Sequence, residues 1–172
     1  MMRAIDVSDI GRIHAIELSV FDKEEAYGSA TIASFCKKRR GYICGDVGYI
    51  LFCHCDCEDD AAQSERVLTI ASLAVTPGAQ GQGLGRLLMT TVMDRFPSED
   101  LYLHVKCTNQ RALSLYLSLG FRILKTIPCY YRDAEDAYYL VHEAAPTSGS
   151  NNNRVANEAI DDVCCGLELL NL

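Results

Sequence analysis

Leu73-Ala-Val-Thr-Pro-Gly-Ala-Gln-Gly-Gln-Gly-Leu-Gly-Arg-Leu-Leu-Met-Thr-Thr-Val-Met-Asp-Arg-Phe96 is the stretch around which the remaining sequence falls into place. An apolar strand, Leu68 to Val75, runs into it and ends before Pro77. A turn carrying Gly78, Gly81, Gly83 and Gly85 follows. A helix then runs to Phe96, with Leu84, Leu87, Leu88, Thr91, Val92 and Met93 on a helical period. Strand, glycine-rich turn and helix start, in that order, make an anion site. Glycines let a ligand approach the backbone, and the orphan N–H groups and positive dipole end of the helix point at it.

Several ligand classes use such a turn. A P-loop requires a lysine and a hydroxyl residue at the helix start, and Gly85-Arg86-Leu87 offers neither. A dinucleotide fold requires G-x-G-x-x-G, whereas Gly81-Gln-Gly83-Leu-Gly85 reads G-x-G-x-G. Gln80-Gly-Gln-Gly83-Leu-Gly85, preceded by Val75-Thr-Pro77, resembles the Gln/Arg-x-x-Gly-x-Gly/Ala pyrophosphate arm of the GNAT acyl-CoA transferases. A glycine-rich turn that binds nothing is the competing reading of this motif alone.

At 172 residues the chain holds one domain with a real core, and 49% apolar and 23% charged residues are globular values. A formal net charge of −7 argues against nucleic acid or an anionic membrane surface as a direct partner. Met1-Met-Arg-Ala-Ile-Asp-Val-Ser-Asp9 has no apolar signal region, and no run reaches the ~18 apolar residues of a membrane span. The nine cysteines are therefore expected to be reduced thiols of a cytoplasmic protein. Cys53-His-Cys-Asp-Cys57 invites a zinc reading, but no second cysteine pair stands at finger spacing, so no metal site is expected.

A first strand is expected over Met2 to Ile5. Asp6-Val-Ser-Asp9 reads as a capping box, opening a helix to about Leu18 with Val7, Ile10, Ile13 and Ile16 on its apolar side. A second helix is expected over Thr31 to Lys38, with Lys37-Lys-Arg-Arg40 as its solvated end. Gly41 to Cys53 reads as a hairpin turning at Gly45-Asp46, and Asp56 to Glu65 as an acidic loop. After the strand and helix of the opening stretch, Leu101, Leu103 and Val105 alternate with Tyr102, His104 and Lys106 in another strand. Asn109 caps a helix from Gln110 to Leu119, which Gly120 stops, and Phe121 to Ile127 and Ala137 to Val141 supply two last strands. The order β-α-α-β-β-β-α-β-α-β-β predicts an α/β fold, a mixed α+β sheet with helices on both faces. Residues 1–145 form the domain, 146–153 a linker, and 154–172 a tail with helical spacing of Val155, Ile160, Val163, Leu167 and Leu170. That tail packs back on the domain or awaits a partner.

A second motif stands downstream. Asn109-x-x-Ala112-x-x-x-Tyr116-x-x-x-Gly120-Phe121 is similar to the second half of the GNAT acyl-CoA site and follows the first motif at the expected distance. With Leu103-His104-Val105 and Cys129-Tyr130-Tyr131-Arg-Asp-Ala-Glu135-Asp136-Ala137-Tyr138, the chain resembles the catalytic subunits of protein N-terminal acetyltransferases and the ribosomal-protein alanine N-acetyltransferase. The resemblance covers about Ile5 to Val141. It implies the GNAT fold, acetyl-CoA as co-substrate, and protein or peptide N-termini as acceptors, with an auxiliary subunit or the ribosome as further partner.

The implied reaction is acyl transfer from a thioester to a free α-amino group, whose pKa of roughly 7.7–8.0 leaves part of it neutral at pH 7, unlike a lysine near ~10.4. The resemblance puts a general base at His104 and a general acid for the leaving thiolate at Tyr116; a core histidine and a packing tyrosine are the competing readings. It also implies that Leu73, Ala74 and Val75 pair with the pantetheine arm and supply the oxyanion donor. Gln80, Gly81, Gln82, Gly83, Leu84, Gly85 and Arg86 would hold the pyrophosphate, with Asn109 and Tyr116 touching the coenzyme; capping alone would also explain Asn109. Phe21, Glu24, Glu25 and Tyr27 on one side, and Tyr130, Tyr131 and Tyr138 on the other, are expected to bind the acceptor. Three departures from the family pattern stand out: Asp22-Lys23 after Phe21, Thr69 where one relative has a second catalytic residue, and Gln80 in place of a basic residue. An acetyltransferase for lysine or a small amine is the first rival. A non-catalytic acetyl-CoA-binding subunit is the second.

Overall fold

A computed structural model describes residues 1–57 and 65–144. Seven strands, β1 (Met2–Ala4), β2 (Gly41–Cys44), β3 (Gly48–Cys57), β4 (Glu65–Val75), β5 (Leu101–Lys106), β6 (Arg122–Ile127) and β7 (Ala137–His142), form one sheet. Four helices join them: α1 (Ile10–Val20), α2 (Ser29–Lys37), α3 (Leu84–Arg95) and α4 (Gln110–Ser118). The expected element order is reproduced. The acidic loop proves shorter than expected, because β3 runs to Cys57 and β4 begins at Glu65. The rest of that loop, the linker and the tail lie outside the described residues.

Spatial order is β1-β2-β3-β4-β5-β7-β6. Every pairing is antiparallel except β4 with β5. Each sheet face carries its own apolar cluster. Ile13 and Ile16 of α1 and Ile32, Phe35 and Cys36 of α2 pack with Ile43, Tyr49 and Leu51 on one face. Leu88, Met89 and Val92 of α3 and Leu113 and Tyr116 of α4 pack with Ile50, Leu68, Leu103 and Leu140 on the other. Alternation along each strand feeds both clusters, since successive side chains point to opposite faces.

The Asp6 carboxylate accepts from the Ser8 N–H at 2.8 Å, and Asp9 Oδ2 accepts from the Asp6 N–H at 3.0 Å, so the capping box forms. It caps a short 3₁₀ turn, Val7–Asp9, that leads into α1. That turn swings Val7 out of the helical register: it is 58% exposed and not part of the apolar side, in contrast to the sequence expectation. Among the described residues, no helix is long and apolar enough to cross a membrane.

Two irregularities of β4 position the site. Its hydrogen-bonded pairing with β5 stops at Ile70↔Leu103, so residues 71–75 leave β5 and the sheet splays open. At the same point the β3 register jumps from Leu51↔Ser72 to Phe52↔Ile70, which leaves Ala71 as a bulge residue. Ala71 packs against the α1/α2 cluster, Leu73 against the α3/α4 cluster and Ala74 against the α1/α2 cluster again. Ser72, bonded to Tyr49 of the α1/α2 cluster, therefore shares a face with its neighbour Ala71.

Candidate active site

A cavity of about 710 Å3 occupies the splay between β4 and β5. Leu73, Ala74, Val75, Gln80, Gly81, Gly83, Leu84, Gly85, Arg86, Asn109 and Tyr116 line one part of it. Phe21, Glu24, Glu25, Tyr27, His104, Tyr130 and Tyr131 line the rest. The two motifs, far apart in sequence, thus meet around one space.

The glycine-rich arm is built from backbone conformation. Gly81 and Gly83 take φ of +78° and +81°, the left-handed region that L side chains adopt at a cost. Gly83 is the N-cap of α3 with no side-chain cap, so the first-turn amides and the dipole face the arm. A Cβ on Gly85 would stand 3.2 Å from Leu115 Cδ2, so glycine here lets α4 close on α3. Gln80 is clasped from both sides: its amide nitrogen donates to the Val75 carbonyl at 2.9 Å, and its Oε1 accepts from Arg111 Nη1 at 2.6 Å. Arg111, a residue the motif reading did not single out, brings a guanidinium to the arm where Gln80 supplies no charge. Arg86 donates to Ser118 Oγ at 2.6 Å, a second tie between α3 and α4. Gln82 does not line the cavity. Its exposed side chain donates back to the Gly78 carbonyl at 3.2 Å, so only its main chain is left to serve the arm. Asn109 does cap α4, its Oδ1 accepting from the Ala112 N–H at 3.1 Å, and lines the cavity as well.

Tyr116 and His104 reach the gap from opposite faces. Tyr116 belongs to the α3/α4 cluster, and burial pushes its phenol up to about 12, so it stays protonated at any ordinary pH. His104 is stacked between Tyr130, with centroids 4.4 Å apart, and Tyr139, at 4.6 Å. Burial first, then the nearby Lys125 charge, lowers its pKa to about 4. His104 is thus a neutral imidazole at pH 7, able to accept a proton but a weak base. Tyr139, rather than Tyr138, flanks it. Strand alternation turns Tyr138 onto the α3/α4 cluster, and its side chain is not among those lining the cavity.

The loop after α1 and the loop before β7 are tied together by one residue of the alternating β5 strand. Lys106 Nζ, at the end of β5, pairs with Glu25 of the loop after α1. It also pairs with Asp133, at 2.6 Å, and Glu135, at 3.2 Å, of the loop before β7. It lies 5.2 Å from the centre of the Tyr131 ring. Burial alone would lower the ammonium's pKa; the hydrogen bonds to Asp133, Glu25 and Glu135 outweigh it and raise it. Around Lys106 the backbone is held in unusual conformations, with φ of +51° at Cys129 and +61° at Ala134. Asp136 pins that turn by accepting from the Cys129 N–H at 2.9 Å.

At the α1 end of the cavity, Glu17 is only 1% exposed yet contributes to the wall. Burial raises its carboxyl to about 7, against the hydrogen bonds it accepts from Tyr49, Ser72 and the Tyr27 backbone. Tyr27 in turn donates from Oη to the carbonyl of the bulge residue Ala71 at 3.1 Å. Nothing in the local sequence of α1 marks Glu17; it reads as an ordinary helix carboxylate. Of the Cys53–Cys57 run, Cys53 is buried in the α1/α2 cluster and His54 Nε2 lies 2.6 Å from Glu99. Among the described residues no group of three His, Cys, Asp or Glu side chains is arranged to hold a metal ion.

Comparisons with known proteins agree with this architecture. The N-alpha-acetyltransferase of Sulfolobus acidocaldarius is 38% identical over 81 residues, which are 45% of this chain and 46% of that protein. The chain spans about half the length of the N-alpha-acetyltransferases it matches. Among solved structures, the ribosomal-protein-S18-alanine N-acetyltransferase from Escherichia coli superposes with a TM-score of 0.69 at 23% identity, over 88% of this chain and 98% of that one. Arabidopsis thaliana NAA60 in complex with acetyl-CoA gives a TM-score of 0.71 at 18% identity, over 83% and 98%. The profile of the acetyltransferase (GNAT) family matches residues 17–121. With that match across more than half of its length, and with both motifs lining one cavity in a splayed mixed sheet, the chain belongs to the acetyltransferase (GNAT) family.

Proposed function

We propose that this protein transfers the acetyl group of acetyl-CoA to the free α-amino group of a peptide or protein N-terminus. The observation that carries the reading is the single cavity in which the glycine arm of α3, the free edge of β4 and the paired acceptor loops meet. The curated relatives named N-alpha-acetyltransferase support it. The arm's amides and the α3 dipole take the coenzyme's pyrophosphate, with the Arg111 guanidinium beside them. The pantetheine arm adds to the open edge of β4 at Leu73, Ala74 and Val75, whose main-chain N–H groups also hold the oxyanion.

The neutral amine attacks the thioester carbonyl; its nitrogen, now positively charged and much more acidic, loses a proton to His104. His104, a neutral imidazole at pH 7, has the lone pair to take that proton as the adduct sheds it. As the C–S bond breaks, Tyr116 donates to the departing thiolate. Phe21, Glu24, Glu25, Tyr27, Tyr130 and Tyr131 form the acceptor groove, which Lys106 draws together so that a chain end enters and a mid-chain segment does not. The protein works in the cytoplasm on chain ends, at the ribosome or with an auxiliary subunit.

The test is acetylation of one short peptide with its N-terminus free or blocked, alongside a lysine-containing peptide whose N-terminus is blocked. Turnover is expected on the free N-terminus alone. Equal rates on free and blocked peptides would overturn the reading in favour of a lysine acetyltransferase, and no turnover on any amine in favour of a binding subunit.

A further inference from the structure

Three oxygens meet at the wall of the cavity's α1 end, each from a different element, with Glu17 and Ser72 lining it and Tyr49 behind them. Glu17 comes from the last turn of α1, Tyr49 from β3 and Ser72 from β4. Ser72 Oγ lies 3.4 Å from Glu17 Oε1 and 2.9 Å from Tyr49 Oη, and the Tyr49 hydroxyl is itself bonded to Glu17. Glu17 and Tyr49 are buried, at 1% and 0% exposure, whereas Ser72 is partly exposed and faces the cavity. The bulge at Ala71 is what turns Ser72 toward this group, one residue before the segment assigned to the thioester.

We propose that Glu17, Tyr49 and Ser72 form a proton relay that removes the proton of the incoming α-ammonium before acyl transfer. Glu17 acts as the store and Ser72 as the cavity-facing contact. This rests on the N-terminal acetyltransferase reading above. The ammonium N–H bond breaks as its proton passes to the Ser72 oxygen. The hydroxyl proton of Ser72 moves on, directly or through Tyr49, to the Glu17 carboxylate. Product release reopens the cavity and Glu17 returns its proton to water. His104 is left for the second proton, the one shed after the C–N bond forms.

The ordinary ranking of the two bases is inverted here. Glu17 is raised to about 7 and His104 lowered to about 4, the separation expected of groups with different proton-transfer tasks. A carboxylate near 7 matches an α-ammonium at roughly 7.7–8.0 and is badly matched to a lysine near ~10.4. The other ionisable groups sharing this end of the cavity with Glu17 are Tyr27, Glu24 and Glu25 on the following loop. His104 and Lys106 stand on β5 across the cavity. Lys106 is engaged by three carboxylates and Tyr27 by the Ala71 carbonyl.

The experiment is the pH profile of kcat/KM, from pH 6 to 9, for wild type, Glu17→Gln, Ser72→Ala and Ser72→Thr on a free-amine peptide. Glu17→Gln keeps the volume and one hydrogen-bond acceptor but does not titrate. Its activity is expected to fall on the order of tenfold below wild type at pH 7 and to converge with it by pH 9, where solvent supplies neutral amine. Ser72→Ala should reproduce that pH-dependent loss, and Ser72→Thr, which keeps the hydroxyl, should restore the wild-type profile. A loss of the same factor at every pH, or none, would overturn the relay and leave a packing role. Should Glu17→Gln fail to fold, the Ser72 pair decides in the same way. A wild type that acetylates the blocked peptide equally well instead sinks the acceptor reading and the relay with it.

Discussion

At the scale of single residues, the proposed chemistry depends on burial overturning ordinary acid–base order. Tyr116 carries a proton that burial makes hard to remove, and a phenol near 12 is a donor across the working range. Tyr116→Phe should therefore lower kcat by about 10²-fold while acetyl-CoA affinity, read by calorimetry, changes little; an unaltered kcat would remove Tyr116 from the chemistry. Glu17 makes a statement about stability as well. Its folded pKa of about 7 lies above the ordinary 4.5. The folded state therefore holds the extra proton, and the resulting stability is fully present below pH 4.5 and lost as pH rises through 7. Relative to Glu17→Gln, wild type should lose on the order of 3 kcal/mol between those limits, seen as a falling difference in Tm. A difference in Tm that stays constant with pH would mean that Glu17 titrates normally.

At the scale of elements, β5 is the hinge post of the proposed acceptor side. His104 presents an imidazole to the gap, and two residues on, on the same face, Lys106 clamps both acceptor loops. The clamp joins the loop after α1 to the loop before β7, which lie more than a hundred residues apart in sequence. Lys106→Met keeps the apolar stem and removes the charge. It should raise KM for the peptide roughly tenfold with kcat and coenzyme affinity nearly unchanged, the signature of lost acceptor binding. If KM holds and only Tm drops, Lys106 is a stability residue and the groove is set by other contacts. The glycine arm, by contrast, is preformed by its own backbone and by Gln80, held between Val75 and Arg111.

At the scale of the whole molecule, one sheet separates two apolar clusters, and the site is the place where that sheet comes apart. Because the same strands feed both clusters, the domain should unfold as one unit. Leu88→Ala on the α3 side and Ile13→Ala on the α1 side both empty fully buried positions. Each should cost about 2–5 kcal/mol and lower one shared transition in calorimetry. Two separable transitions would show that the faces fold independently. The cavity's two halves also divide along this line, since Tyr116 belongs to one cluster and the Glu17–Tyr49 group to the other.

Much of this was legible in the residues alone, because it is local. The capping box at Asp6, the cap at Asn109, the glycines at Gly81, Gly83 and Gly120 and the alternation of Leu101 to Lys106 are short-range rules. They set the element order and the backbone of the glycine arm. Spatial arrangement was not local, and there the sequence was silent or misleading. Whether β7 inserts between β5 and β6 depends on pairing partners that no single strand specifies, and the face taken by Tyr138 rather than Tyr139 depends on that register. The splay after Ile70, the bulge at Ala71 and the burial of Glu17 arise only when β3, β4, β5 and α1 are packed together. A pKa is set by what surrounds a group, so the inversion between His104 and Glu17 belongs to tertiary structure and not to the residues that carry it.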